Sequence, residues 1–233
     1  MNKVEVKNFL LSRNIKCTDS QLDKIENFVF KTLETNKLFN LTAIKDIETF
    51  WEKMVLDSAI ANYGIDLSDK SFIDVGTGGG FPGYVLYFLN PSCHATLLDS
   101  TAKKINYLKG YAEENNYKNI DFICDRAEIF ARKNREKYDY AFARAVSDLS
   151  ILIELMMPMI KVNGELIALK GQGVFEEINK SLPLMKKIGC HLSHIYEDRL
   201  PESDELRFIV HIKKDKITAN KYPRDYSKII NKK

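Results

Sequence analysis

Between Phe72 and Gly83 the chain reads Phe-Ile-Asp-Val-Gly-Thr-Gly-Gly-Gly-Phe-Pro-Gly, so a carboxylate, Asp74, stands two places before a run holding Gly76, Gly78, Gly79 and Gly80. Glycines let a turn take positive φ and leave no Cβ between the backbone and a bound molecule. Pro82 suits the first position of a following helix. Asp99 lies 23 residues beyond Gly76, at the end of the next apolar run, where an acid reaches the hydroxyls of a ribose. The pattern asks for a nucleoside. It does not suit a triphosphate, because Tyr84 and Val85 follow Gly83 where a phosphate loop would place Lys and then Ser or Thr. A dinucleotide and S-adenosylmethionine remain. Asp74 in front of the turn would repel a pyrophosphate and suit an ammonium group, and Phe81 stands where the dinucleotide spacing has Gly or Ala.

Apolar runs of the length of buried parallel strands hold these residues: Ser71 to Val75, His94 to Leu98, Ile120 to Cys124, Tyr138 to Ala143 and Glu165 to Lys170. Helical patterns lie between and after them, at Pro82 to Leu89, Thr101 to Asn115, Ala127 to Asn134, Leu149 to Ile160 and Val174 to Ile188. Such alternation predicts a doubly wound α/β domain with right-handed crossovers and a ligand over Gly76 to Gly80. Cys190 to Tyr196 and Leu206 to Ile212 have no helix between them and should close the sheet as an antiparallel hairpin, giving seven strands in a mixed sheet. Residues 1 to 65 read as a helical extension. Leu22, Ile25, Phe28, Val29 and Leu33 recur at helical spacing behind a Thr18/Gln21 capping box, and a second helix starts near Asp46. Leu38 to Ile44, between them, is apolar enough to lie against the main domain. The expected division is 1–65 helical cap, 66–215 catalytic domain and 216–233 basic tail.

A chain of 233 residues with 45% hydrophobic and 29% charged residues can bury a large core and has no membrane-length apolar run. The start shows no secretory signal, which points to a cytoplasmic protein. Cys17, Cys93, Cys124 and Cys190 form no C-x-x-C pair and are expected as buried free thiols; His191 and His194, three apart in one strand, are expected on opposite faces, so no metal site is anticipated. The net charge of +3 is unevenly spread. Residues 207–233 hold nine Lys/Arg against two Asp/Glu, a net of +7, which leaves −4 for the rest. A cationic end on an acidic body suits a phosphate-rich partner, or merely a solvated tail.

Eight ordered segments make a more specific match: Asn40 to Ile44, Leu56-Asp57-Ser58, Phe72 to Gly83, Leu97 to Ser100, Arg126-Ala127-Glu128, Ala143 to Val146, Leu169-Lys170-Gly171 and Lys221 to Arg224. Together they closely resemble the bacterial ribosomal RNA small subunit methyltransferase G family (RsmG, formerly glucose-inhibited division protein B), over nearly the whole chain. The resemblance implies a Rossmann-like class I S-adenosylmethionine-dependent methyltransferase that methylates N7 of a guanine in 16S rRNA, in the 530-loop region, with the small ribosomal subunit or its assembly intermediate as partner. It implies no metal and no membrane, and a monomer is expected. Carried over by position, Asp74, Gly76, Thr77, Gly78, Phe81, Asp99, Ser100, Ala127, Glu128 and Arg144 would contact the cofactor, with Ala127-Glu128 beside the adenine. Arg144 and Lys170 are the catalytic candidates, Arg144 touching phosphate, O6 or the cofactor edge and not N7. Asn40, Arg207, Lys221, Tyr222 and Arg224 are candidates for RNA, with Phe39 as a stacking surface. Arg126 and Glu128 as an exposed ion pair and Phe81 as a packing residue are the bland alternatives. Met54 stands where the family commonly has His, and the chain runs on from Arg224 through Asp225-Tyr226-Ser227 where the family often has a Pro-Lys-rich finish. Two other functions compete: a ribosome-assembly or RNA-binding factor that keeps the cofactor pocket, and an NAD(P)-dependent oxidoreductase.

Overall fold

The computed structural model describes residues 1–231. Asn2 and Thr18 close reciprocal capping boxes on α1 (Lys3–Ser12) and α2 (Asp19–Asn36), and α2 buries Leu22, Ile25, Phe28, Val29 and Thr32 on one face. Asp46 caps the next helical run: α3 (Ile47–Phe50) passes into a π-helical turn, Trp51–Leu56, and then into α4 (Asp57–Ala59). Of the segment between α2 and α3, Leu41 is buried and Phe39 stands against Tyr107, but Leu38 is 84% exposed, so the expected contact with the main domain is made by part of the run.

From residue 71 the chain alternates β1 (Ser71–Val75), α5 (Gly83–Leu89), β2 (His94–Asp99), α6 (Ala102–Glu114), β3 (Ile120–Cys124), α7 (Ala127–Lys133), β4 (Tyr138–Arg144), α8 (Leu149–Met156), β5 (Ile160–Lys170) and α9 (Val174–Ile188). β6 (Cys190–Arg199), β7 (Leu206–Lys214) and α10 (Tyr226–Ile230) complete it. The sheet has seven strands in the order β3-β2-β1-β4-β5-β7-β6, parallel except for β7, which is antiparallel to both neighbours. Strand order reverses between β2-β1 and β4, which opens a crevice at the carboxyl ends of these strands.

Three local expectations fail for identifiable reasons. The helix expected over Leu149 to Ile160 stops at Met156, because Pro158 ends it in a short 3₁₀ turn, and β5 starts at Ile160 rather than Glu165. Pro82 stands one residue before α5, not at its first position. An irregularity in β6 between Leu192 and His194 restores His191 and His194 to the same face, the register running His191 to Lys213, Leu192 to Ile212 and His194 to His211. His191 pairs with Asp215, and His194 stacks on Tyr196. Of the cysteines, Cys93 and Cys190 are buried, with burial pushing each thiol up to about 12, whereas Cys124 is exposed at the end of β3.

One face of the sheet shares its core with the helical extension. Phe28 of α2 stands against Phe81, Tyr84, Phe88, Tyr107 and Tyr111, with the nearest ring centroids at 4.4 Å. The other face packs α7, α8 and α9, and into that core the segment after β7 sends Tyr222 and Ile229. That segment is not a free tail: Arg224 is bidentate to the buried Glu154 of α8, Arg135 donates to the carbonyls of Thr218 and Tyr222, and Arg132 pairs with Asp225. Lys232 and Lys233, part of the expected basic end, lie outside the described residues. Among the described residues no helix is long and apolar enough to cross a membrane.

Candidate cofactor pocket

The glycine turn is stitched to the sheet by the amides of Gly76 and Thr77, which donate to the Leu98 carbonyl at 2.8 and 3.0 Å. Gly76 has φ +74°, and a Cβ there would lie 2.8 Å from Val146, so conformation and space both require glycine. Asp99, at the end of β2, accepts from the Gly78 amide at 3.0 Å and from the Thr101 amide at 2.8 Å. Its carboxylate thereby joins the turn to the start of α6, and each oxygen keeps lone-pair capacity for a further donor. A cavity of about 330 Å³ opens beside it, at the low end for small-ligand sites, lined by Val75, Gly76, Leu98, Asp99, Ser100, Asp125 to Glu128, Val146, Ser147, Leu155 and Tyr226. A larger cleft of about 1070 Å³ lies between the end of α1, residues 62–68 and β6, but Arg13 there is already paired with Asp198 and the glycine turn does not reach it. The smaller cavity is the one with chemistry converging on it.

Several expected site residues have other partners. Asp74 is fully buried, accepts from the Gly83 amide at 2.8 Å and lies beneath the turn, so it does not stand open to a ligand ammonium; burial pushes its pKa up to about 6. Thr77 is also buried, and Phe81 packs between Phe28 and Phe50 as a core residue. Arg144, at the end of β4, is not among the residues that line the cavity. It donates to the Lys53 carbonyl at 2.8 Å and reaches Asp57 at 3.4 Å and Met54 Sδ at 3.2 Å. Lys170 holds the Ser147 carbonyl at 2.6 Å and Glu177 at 2.7 Å, fixing the loop that forms one cavity wall. Arg126 and Glu128 do form an ion pair, at 2.6 Å, but Glu128 is buried and faces the cavity. Gly76, Asp99, Ser100, Ala127 and Glu128 are the expected cofactor residues that the fold brings to one wall.

The expected RNA residues are scattered and mostly occupied. Arg207 is held by Asp57 at 2.9 Å and Glu205 at 2.7 Å, Arg224 by Glu154, and Tyr222 is buried, so none of the three is free to meet a phosphate or base. Lys221 is exposed over the Tyr222 ring, and Asn40 is exposed in the loop whose Leu41 covers Gly79. Phe39 in the same loop carries the Lys103 ammonium 4.3 Å from its ring centre. Three participants escaped sequence reasoning. Asp57, shared by Arg144 and Arg207, was visible only as part of a motif; Glu154 and Tyr226 gave no local signal.

The family model for rRNA small subunit methyltransferase G matches residues 21–200. This chain belongs to that family. It is 36% identical to the ribosomal RNA small subunit methyltransferase G of Halalkalibacterium halodurans and 37% identical to that of Bacillus cytotoxicus, in each case over 96% of this chain and 95% of the relative. A SAM-dependent methyltransferase from Aquifex aeolicus, 15% identical over 78% of this chain and 97% of that one, superposes with a TM-score of 0.51 and shares the fold. As a methyltransferase G family member the protein is an enzyme whose cofactor is S-adenosylmethionine, which removes the oxidoreductase alternative. The cavity fits that cofactor. Asp99 offers acceptors for ribose hydroxyls, Leu98 and Leu155 offer apolar surface for a purine, and Asp99 with Asp125 leaves the wall acidic after Arg126 neutralises Glu128. A cofactor with net positive charge suits such a wall, and a pyrophosphate does not.

Proposed function

We propose that this enzyme transfers the methyl group of S-adenosylmethionine to N7 of a guanine in 16S rRNA, in its 530-loop region, acting in the cytoplasm as a monomer on the small subunit or an assembly intermediate. The match of residues 21–200 to the methyltransferase G family carries this reading. Bound in the cavity, the cofactor supplies an activated methyl group on a sulfonium. Guanine N7 offers an in-plane lone pair with no proton to remove, so no general base is required of the chain. Its residues have to orient and exclude water: Asp99 fixes the ribose end, and Val75, Leu98, Val146 and Leu155 present apolar walls. Orientation of this kind supplies a large share of a barrier reduction when reacting atoms are held at about 3 to 3.5 Å. The A-form major groove is too narrow for such a site, so the guanine is read from a loop or extruded.

The target base is proposed to enter beside the loop 37–45, because this loop carries Asn40 and the Phe39 ring that holds Lys103, and its Leu41 lies against Gly79 of the glycine turn. Incubation with labelled cofactor and small subunits lacking the modification should place one methyl group on 16S rRNA, at a site that aniline cleaves after reduction. No transfer to subunits, to their precursors or to naked rRNA would leave the RNA-binding factor as the better reading.

A further inference from the structure

The segment after β7 ends in a position that its charge does not suggest. Glu154 lies in the middle of α8, 1% exposed, on a helix that otherwise buries Leu, Ile and Met. Both of its oxygens are taken by Arg224: Oε1 accepts from the backbone amide at 3.0 Å and from Nε at 2.8 Å, and Oε2 accepts from Nη2 at 2.7 Å. A carboxylate buried among apolar residues is tolerated only with such a partner. Arg132 adds bonds to the Pro223 carbonyl and Asp225, and Ile229 plugs into the second core. The outcome of this seating is that Tyr226, half-buried, lines the cofactor cavity, and the guanidinium of Arg126 lies 5.0 Å from its ring centre.

The strand order β3-β2-β1-β4 fixes which end Tyr226 meets. Gly76 after β1 and Val146 after β4 stand at one side, Asp99 at the end of β2 in the middle, and Arg126 to Glu128 after β3 at the other, where Arg126 lies over the Tyr226 ring. With Asp99 on the ribose, the purine lies toward α7, where Tyr226 is. We propose that Tyr226 is a cofactor-binding residue that covers the purine of S-adenosylmethionine with its ring, and that Arg224 on Glu154 is the positioning contact that seats it. The basic segment then serves the cofactor and not the RNA. This inference rests on the assignment of the cavity to S-adenosylmethionine.

Calorimetric titration with S-adenosylmethionine and with adenosine alone tests it without RNA. A base stacked on an aromatic ring loses about tenfold in affinity when the ring is removed. Tyr226→Ala and Tyr226→Leu should therefore each raise Kd about tenfold for both ligands, while Tyr226→Phe stays within about twofold of the unmodified protein. Tyr226→Leu keeps apolar contact with the second core, so it remains informative if the alanine variant melts early. Glu154→Gln should weaken binding of both ligands in the same direction as Tyr226→Leu. Unchanged affinity in Tyr226→Leu, or an equal loss in Tyr226→Phe, would overturn the proposal while leaving the cofactor assignment intact. Failure of the unmodified protein to bind either ligand would overturn the cavity assignment and the proposal with it.

Discussion

A carboxylate without solvent contact disfavours its own ionised form, and Asp74 is in that position beneath the glycine turn. Burial is the main cause of its shift up to about 6, partly offset by the hydroxyl of Thr77 and the amide of Gly83. Its ionisation is easier in the unfolded chain. Stability is therefore fully present below a pH of about 4, falls as the pH rises to about 6 and then levels, a loss of about 3 kcal/mol. Asp74→Asn should melt with the unmodified protein at pH 4 and above it at pH 7.5; superimposable melts at pH 7.5 would mean that Asp74 ionises without penalty. Asp99 is the opposite case, partly exposed and bonded through both oxygens to backbone amides. Asp99→Ala should cost S-adenosylmethionine affinity at least tenfold, read by calorimetry, with the fold retained in circular dichroism. Asp74 is hidden and cannot be what turns a pyrophosphate away; Asp99 with Asp125 makes the wall acidic.

The helical extension and the sheet meet through α2, whose Phe28 is surrounded by aromatic rings from the glycine turn, α5 and α6. Truncating a buried phenylalanine leaves a cavity that the neighbours fill only in part. Phe28→Ala should cost about 3 to 5 kcal/mol in urea unfolding, in a single transition, because the extension and the sheet share one core. Two separate transitions would show an independently folding cap. On the other face, Arg224→Ala alone strands the buried charge of Glu154 and should cost about 3 to 5 kcal/mol. Replacing both residues by leucine should restore much of that, the sign expected of a buried pair. The start of α2 and the bounds of β1 and β3 were legible in capping and apolar patterning, which are local properties. The π-helical turn at Trp51–Leu56 was not, since it is set by what packs on it, including Arg144 against Met54.

Across the molecule, formal charge and available charge differ. Arg144, Lys170, Arg207 and Arg224 each have a carboxylate partner within 3.4 Å and are internally compensated, whereas Lys221 is exposed over the Tyr222 ring. Lys103, on the Phe39 ring beside the glycine turn, is a cation with no carboxylate among its described contacts. Neutralising Lys103 should lower the slope of log K against log salt for rRNA by about 0.7 to 0.9. Replacing the Glu154 and Arg224 pair together should leave that slope unchanged, because no net charge is removed; a reduced slope in the double variant would return the segment to the RNA side.

By itself the sequence determined the βα alternation, the closing antiparallel strand, the glycine turn and the acid at the end of the next strand. Each of these is written in residues close together in the chain, as periodicity, capping or backbone freedom. Only the tertiary structure decided which side chains remain available. Asp57 claims Arg144 and Arg207 from a helix far away in the chain, and Glu154 claims Arg224 and thereby delivers Tyr226 to the cofactor cavity. The physical reason is that a charge or a ring is free or occupied according to the partner folding brings to it, and spacing along the chain does not encode that partner.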